Sequence, residues 1–424
     1  MTTSAQTSLE NAFAGVADNY RGADVDLNAI YRDMRKNTPV IADNFMARLG
    51  VPNIAGLDVN RPTFTLFKYK DVMAVLRDAT NFTSGFIAEG LGAFFDGLIL
   101  TGMDGDQHRR ARGLLQPIFM PDVVNRWRES KMEPIVRNEY LLPMVAKKQA
   151  DLMDFGLHFP IRLIYSLIGF ADDRPEQIQQ YAAWALAILA GPQVDAERAA
   201  LARKAAMEAA QCLYDAIKIA VVQVRADGAQ GDDLISRLIK AEYEGRQLDD
   251  HEVTTFVRSL LPAAGETTTR TFGSLMTLLL ERPALLERVR QDRSLVGKAI
   301  DEAVRFEPVA TFKVRQAAKN LEIGGFQIPK GAMVQCIVAS ANRDEDAFEN
   351  SETFDIDRKP KPSFGFGFGP HMCIGQFIAK SELQVAVNAI LDLLPNIRLD
   401  PDKPAPKITG AQLRGPHSVP VIWD

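Results

Sequence analysis

One stretch limits what this chain can become: Phe364 to Lys380, FGFGFGPHMCIGQFIAK, where a single cysteine lies in a glycine-dense turn followed by a helical pattern. Gly365, Gly367, Gly369 and Gly375 let the backbone bend tightly round a bulky object, and Pro370 stiffens the bend. With a helix expected to begin at Cys373, its free amides and dipole should favour a thiolate, and a thiolate is a metal ligand. A cysteine alone in such a loop can equally be a small buried side chain in a structural turn.

Length and charge narrow the rest. The 424 residues carry no Ser/Gly-rich or Pro-rich linker, so the expectation is one domain over residues 1–424 with a flexible N-terminus of about 25 residues. A 46% apolar and 24% charged composition fits a soluble globular core. The net charge of -5 argues against nucleic acid as a general partner. Cys212, Cys336 and Cys373 lie far apart with no CxxC pair, which suggests neither a disulfide framework nor a zinc site, and fits a reducing compartment. The N-terminal segment lacks a basic start, an apolar run and the roughly 20 apolar residues of a membrane span. A cytoplasmic, non-membrane protein is expected.

Periodicity then gives the elements in order. Pro62 to Lys68 alternates like a strand and Tyr69 to Asp78 turns helical. The Gly-punctuated stretch from Asn81 to Gly102 carries Phe82, Phe86, Phe94 and Phe95, which either cover a cavity or pack as ordinary core. A helix starts near Asp104, placing His108 and Arg112 on one face. Helical patterns run from Ala150 to Phe170, Pro175 to Ala190 and Glu197 to Ala226, with Trp184, Leu186, Ile188 and Leu189 core-like. The helix from Asp250 to about Glu281 contains Pro262, which removes one backbone bond, and then AAGETTT, a run of poor helix formers. That composition suits a helix passing close over something, although Thr267, Thr268 and Thr269 could simply bond back one turn. Glu302 and Arg305 share a face before Pro308 stops their helix. A hairpin is expected to turn at Pro329 to Gly331, and the C-terminal AQLRGPHSVPVIWD looks like another.

The spacing round Cys373 decides between the readings of the loop. Phe366 stands seven residues before it, Gly369 four before, His371 two before and Gly375 two after. This resembles the haem-binding loop of the cytochrome P-450 family, haem-thiolate monooxygenases, and of its soluble bacterial type. The resemblance implies a mainly α fold with small β-sheets and a haem held between a long central helix and the cysteine loop. It implies Cys373 as the axial ligand of iron, which favours O–O cleavage.

Three further motifs follow in the family's order. Asp104, His108, Arg112 and Phe119 match a pattern whose His and Arg bind a haem propionate, and Arg315 matches a second propionate arginine; a guanidinium suits a carboxylate. Ala263 to Thr268 match the family's small residue, Gly, any, acid, Thr, Thr, except that Ala264 replaces the Gly and narrows the space over iron. Glu266 and Thr267 then resemble the acid and alcohol that pass protons to bound dioxygen. Glu302 and Arg305 match a structural ion pair behind the haem. The implied cofactor contacts are Cys373, His108, Arg112, Arg315, His371, Phe366, Gly367, Gly369 and Ala264, round haem b (iron protoporphyrin IX). The implied substrate pocket is Phe82, Phe86, Phe94, Phe95, Leu98, Ala263, Val309, Ala310 and Leu413, under a lid formed by the helix pair from Pro175.

The function implied is insertion of one oxygen atom from dioxygen into a small apolar molecule, by hydroxylation or epoxidation. With no cation identified as aimed inward to hold a carboxylate, a terpenoid, steroid or aromatic is favoured over a fatty acid. Electrons should come from a separate ferredoxin and its reductase, docking on Arg109, Arg110, Arg358, Lys359 and Lys361, with the enzyme a monomer. The alternatives are a peroxide-driven oxygenase acting on fatty acids and a haem-based sensor, both disfavoured by Glu266 with Thr267.

Overall fold

Apolar residues at helical spacing set the frame of the molecule, and capping side chains set where its helices begin. The computed structural model describes residues 8–52, 61–170, 174–243 and 245–424. The helices that position the site are α1 (Leu9–Tyr20), α2 (Gly105–Leu115), α3 (Leu152–Ile168), α4 (Pro175–Leu189), α5 (Ala196–Ala226), α6 (Asp250–Leu280), α7 (Leu295–Phe306) and α8 (Gln376–Leu393). The main sheet uses β1 (Val40–Ile41), β2 (Thr63–Leu66), β3 (Phe82–Thr83), β4 (Phe312–Ala317) and β5 (Met333–Ile337), in the order β1-β2-β5-β4-β3. Helix predominates and the sheets are small, as the sequence implies. Among the described residues no helix is long and apolar enough to cross a membrane.

Helix α6 is the axis. Asp249 and Glu252 form a capping box at its start, and it continues through Pro262 for 31 residues. It packs on α3, α5, α7 and α8 and is buried on nearly all sides, so its sequence is apolar or small almost throughout. Gly265 is where α3 comes closest: a Cβ there would lie 2.8 Å from the Cγ1 of Ile161.

Three expectations about the course of the chain are corrected. The segment taken as a flexible N-terminus is a helix from Leu9 onward; residues 1–7 lie outside the described ones. Ser8 caps it, and its apolar face (Leu9, Phe13, Val16, Tyr20) packs on α4, with Tyr20 Oη donating to the Leu189 carbonyl at 2.9 Å. The first hairpin turns at Gly324 and Gly325, whose φ values of 57° and 84° suit glycine, rather than at Pro329 to Gly331. The C-terminal stretch splits: Gly415–Pro416 pairs with Ile408–Thr409, whereas Pro420–Ile422 pairs with Arg398–Leu399 and with residues 149–151.

Glu302 and Arg305 form a buried bidentate pair on α7, at 2.6 and 2.8 Å. The guanidinium also donates to the carbonyls of Asn342, Ser351 and Thr353, and Glu302 accepts from the Asp355 amide at 2.9 Å and from Arg358 at 3.2 Å. Every donor of Arg305 is used, and α7 is thereby fixed to the chain that leads into the cysteine loop. Arg305→Met would leave Glu302 charged and buried beside a cut network, and should cost about 3–5 kcal/mol of stability. Denaturant unfolding should show this loss, while Asp357→Asn, which breaks the exposed pair with Arg288, should barely move the midpoint.

Candidate active site

Local backbone bonds build the cysteine loop. The Cys373 amide donates to the Phe366 carbonyl at 2.7 Å and the Gly367 amide to the Phe364 carbonyl at 2.8 Å, folding the glycine run back on itself. Gly369 sits at φ 71° against the Leu76 carbonyl, where a side chain would be both strained and obstructed. Phe364 anchors the loop, its ring stacked on Tyr69 at 4.6 Å and its amide bonded to Asn342. Helix α8 starts only at Gln376, with Gly375 ahead of it, so Cys373 is not at a helix start as expected. Burial of its surroundings pushes the thiol above its ordinary value, against the pull of the Gly375 amide, Lys313 and Arg112. In the haem-free chain burial thus outweighs the pull of the amide just ahead of α8. The sulfur itself stays accessible, in a chain whose Cys336 is buried.

Around this thiol the fold gathers groups from three distant parts of the sequence. Arg112 of α2 and Lys313 of β4 act electrostatically on Cys373. The His108 and His371 rings lie 4.2 Å apart, and Asp104 accepts from the Ser84 and Gly85 amides at 2.7–2.9 Å while facing His371 at 3.7 Å. Burial, His371 and Arg112 bring the His108 pKa down to about 4, so its ring is neutral at pH 7; burial lowers that of His371 too. Among the described residues His108 Nε2 is buried without a hydrogen-bond partner, and His371 Nε2 is the atom that faces Asp104. Arg315 is buried, and among the described residues its guanidinium has one hydrogen bond, to the Val314 carbonyl at 2.8 Å, and no ion pair. Arg112 donates to Gln116 at 3.1 Å.

On α6, burial is interrupted by one stripe. Ala263 is exposed, and Ser259, Leu260, Ala264, Thr267 and Thr271 partly so, within a helix otherwise sunk in the core. Thr267 Oγ1 donates to the Ala263 carbonyl at 2.8 Å, the back-bonded posture that sequence reasoning left open. Glu266 is fully buried: its Oε1 takes a 2.5 Å bond from Arg270 Nε, and its Oε2 has no partner. Burial pushes this carboxyl above the usual range against the pull of Arg270. Arg270 in turn lies over the Phe13 ring of α1 at 4.5 Å.

The expected pocket residues divide. Phe94, Leu98, Ala263 and Ala310 are at least partly accessible. Phe82 is not a pocket residue: it is buried on the sheet face that also carries Phe64, Val334 and Ala317. Phe86 is buried against Met333 on the opposite side, Phe95 is buried under Arg258, and Val309 and Leu413 are also buried. The proposed docking cations divide as well. Arg358 is largely buried and bonded to Glu302 and to the carbonyls of Glu349, Asn350 and Thr353, so it belongs to the internal network rather than to a docking face. Lys361 donates to the Ala347 carbonyl and lies over Tyr69, and Arg109 pairs with Asp106 at the surface.

Sequence reasoning missed two groups here. Lys313 stands two residues before Arg315, and strand alternation alone could have placed it beside that arginine. Glu382 of α8 is fully buried with its carboxyl pushed well up by burial and eased only by Thr268; nothing in an ordinary helical pattern marks it.

A mainly helical fold with one accessible cysteine in a glycine loop, beside a cluster of cations, is the architecture of a haem-thiolate protein. Comparison with known proteins makes this specific. The family model for cytochrome P450 matches residues 196–410, just over half of the chain, and the chain belongs to that family; it is a P450 monooxygenase. It is 32% identical over 341 residues to the erythromycin C-12 hydroxylase of Saccharopolyspora erythraea, covering 80% of this chain and 83% of that protein. It is 29% identical over 373 residues to the cyclomarin C epoxidase CymV of Salinispora arenicola, covering 87% and 89%. Its fold matches the crystal structure of CYP109E1 from Bacillus megaterium in complex with corticosterone with a TM-score of 0.79 and 25% identity, over 93% of this chain and 98% of that one. The donor set fits the family's haem-thiolate iron: among the described residues, an accessible cysteine, a buried arginine without an acid of its own, and an open His108 Nε2.

The His108 shift makes a pH prediction for the haem-free chain. Its unfolded pKa is about 6.5 and its folded value about 4, so below pH 6.5 the unfolded state takes up the proton first. The stability linked to His108 is present above pH 6.5 and lost as pH falls from 6.5 toward 4. Melting temperature measured across that window should fall less steeply in His108→Gln than in the parent chain.

Proposed function

We propose that this P450 binds haem b through Cys373, uses electrons from a separate ferredoxin and its reductase, and hydroxylates or epoxidises a small apolar molecule of terpenoid, steroid or aromatic type. The observation that carries this reading is the accessible Cys373 in its glycine loop, with Arg112 and Lys313 near enough to act on its charge. His108, Arg112 and Arg315 would hold the propionates, and Phe366, Gly367, Gly369 and His371 would shape the loop round the macrocycle. The corticosterone bound to CYP109E1 supports a steroid-type substrate here. A reducing, cytoplasmic setting and a monomeric enzyme go with this reading.

When bound, the haem-thiolate iron supplies the activation of dioxygen and the transfer of one oxygen atom to substrate. The chain supplies the pose and the protons. Phe94, Leu98, Ala263 and Ala310 would meet the substrate. Thr267 Oγ1, on the accessible stripe of α6, is placed to take a proton from behind the helix and offer it on the stripe. Glu266 is the source: burial keeps its carboxyl protonated to higher pH than usual, and the unpartnered Oε2 is the atom from which the proton leaves while Arg270 holds Oε1. Keeping this route narrow excludes bulk water, which would divert reductant into peroxide.

Titrating the ferric protein with terpenoids, steroids, aromatics and fatty acids, and reading the Soret band, tests the substrate class. A high-spin shift with one of the first three supports the proposal, and a shift with fatty acids alone contradicts it. Thr267→Ala should keep haem while product per reductant falls on the order of 100-fold and hydrogen peroxide rises. Unchanged coupling would remove Thr267 from the route. Cys373→Ala should lose both the thiolate-type spectrum and turnover.

A further inference from the structure

The chain treats its buried cations in a consistent way. Arg35 meets Glu345 and Glu352, Arg162 meets Glu139, Arg258 meets Asp96, Arg270 meets Glu266, Arg305 meets Glu302 and Arg343 meets Glu307. Arg315 breaks the pattern, and so does its neighbour on the strand: among the described residues the Lys313 ammonium has neither an ion pair nor a hydrogen bond. Lys313 is only partly buried, but it lies on the same strand face as the buried Arg315, and two cations side by side without an acid repel each other unless an anion answers both.

Strand geometry says where the missing anion must sit. Lys313 and Arg315 are two apart on β4, so both leave the strand on the same face. Their cross-strand partners, Cys336 and Val334, lie in the apolar cluster that also contains Phe364 and Phe368 of the cysteine loop. Phe312 and Val314 leave the opposite face, toward the main core and Phe86. Lys313 is therefore on the cysteine-loop side of the sheet and not on the side of Phe86, and it is close enough to Cys373 for the two to act on each other.

We propose that Lys313 holds a haem carboxylate beside Arg315, and that its charge, next to the thiolate, raises the midpoint potential of the iron. The anion is a propionate rather than a substrate carboxylate because the lysine shares its strand face with the cysteine loop. The proposal rests on the haem reading above, to which it adds a cation outside the matched motifs.

The test is reconstitution of the purified chain with iron protoporphyrin IX or with its dimethyl ester, alongside spectroelectrochemistry. The parent should favour the diacid. Lys313→Met should lose haem about tenfold faster, lose most of that preference and show a lower midpoint potential, whereas Lys313→Arg should restore all three. Far-UV dichroism of both variants separates a folding failure from the effect sought, and Lys313→Arg carries the test if Lys313→Met does not fold: its preference for the diacid must then match the parent's. A Lys313→Met protein with the parent's preference and potential overturns the proposal. So does one that keeps haem normally but binds fatty acids less well relative to their methyl esters, which would assign the lysine to substrate. A parent chain that takes up neither porphyrin overturns the haem reading itself, and this inference with it.

Discussion

Charges left unanswered inside the protein govern this structure. Among the described residues Arg315 and Lys313 have no acid and His108 Nε2 has no hydrogen-bond partner, while burial pushes the accessible Cys373 thiol up. Taken alone, these would be defects of several kcal/mol in an interior that otherwise pairs its ions. The haem-thiolate iron of the P450 family would answer them together, if the proposed roles of Arg315 and Lys313 toward its carboxylates hold.

The rest of the fold holds those groups still. The Glu302–Arg305 pair, with Arg358 and the carbonyls of Asn342, Ser351 and Thr353, fixes the chain that leads into the cysteine loop. Asn342 also takes the Phe364 amide, so the same segment touches both the network and the loop. On the other side, α6 approaches α3 through Gly265, which leaves its accessible stripe of small residues to meet cofactor and substrate. Glu266 is buried against Arg270, which lies over Phe13 of α1, so Glu266 and Thr267 stand on different faces of one helix.

Much of this was legible in the sequence because the motifs are short and their chemistry is local. The glycine spacing round Cys373, the His108 and Arg112 pair one turn apart, and the run from Ala263 to Thr268 each encode their geometry within a few residues. The long helices were legible from periodicity. What escaped depends on contacts far along the chain. Lys313 reads as an ordinary strand lysine until its cross-strand partners show which face it takes. Arg358 looked like a surface cation because nothing near it in sequence reveals Glu302, and Phe82 was grouped with the aromatics of its loop although pairing with Ala317 turns it into the sheet core. The N-terminal helix was missed because its apolar face is short and gains its stability from α4 rather than from its own propensity. The start of α8 lies three residues beyond Cys373, where burial outweighs the pull of the amide just ahead of that helix.

The most direct measurement is X-ray absorption at the iron edge of the purified ferric protein. The account predicts one sulfur among the atoms bound to iron, with nitrogen from the macrocycle making up the equatorial set. Iron surrounded only by nitrogen and oxygen would contradict it, because the accessible thiol and its cations would then be answering something other than a haem.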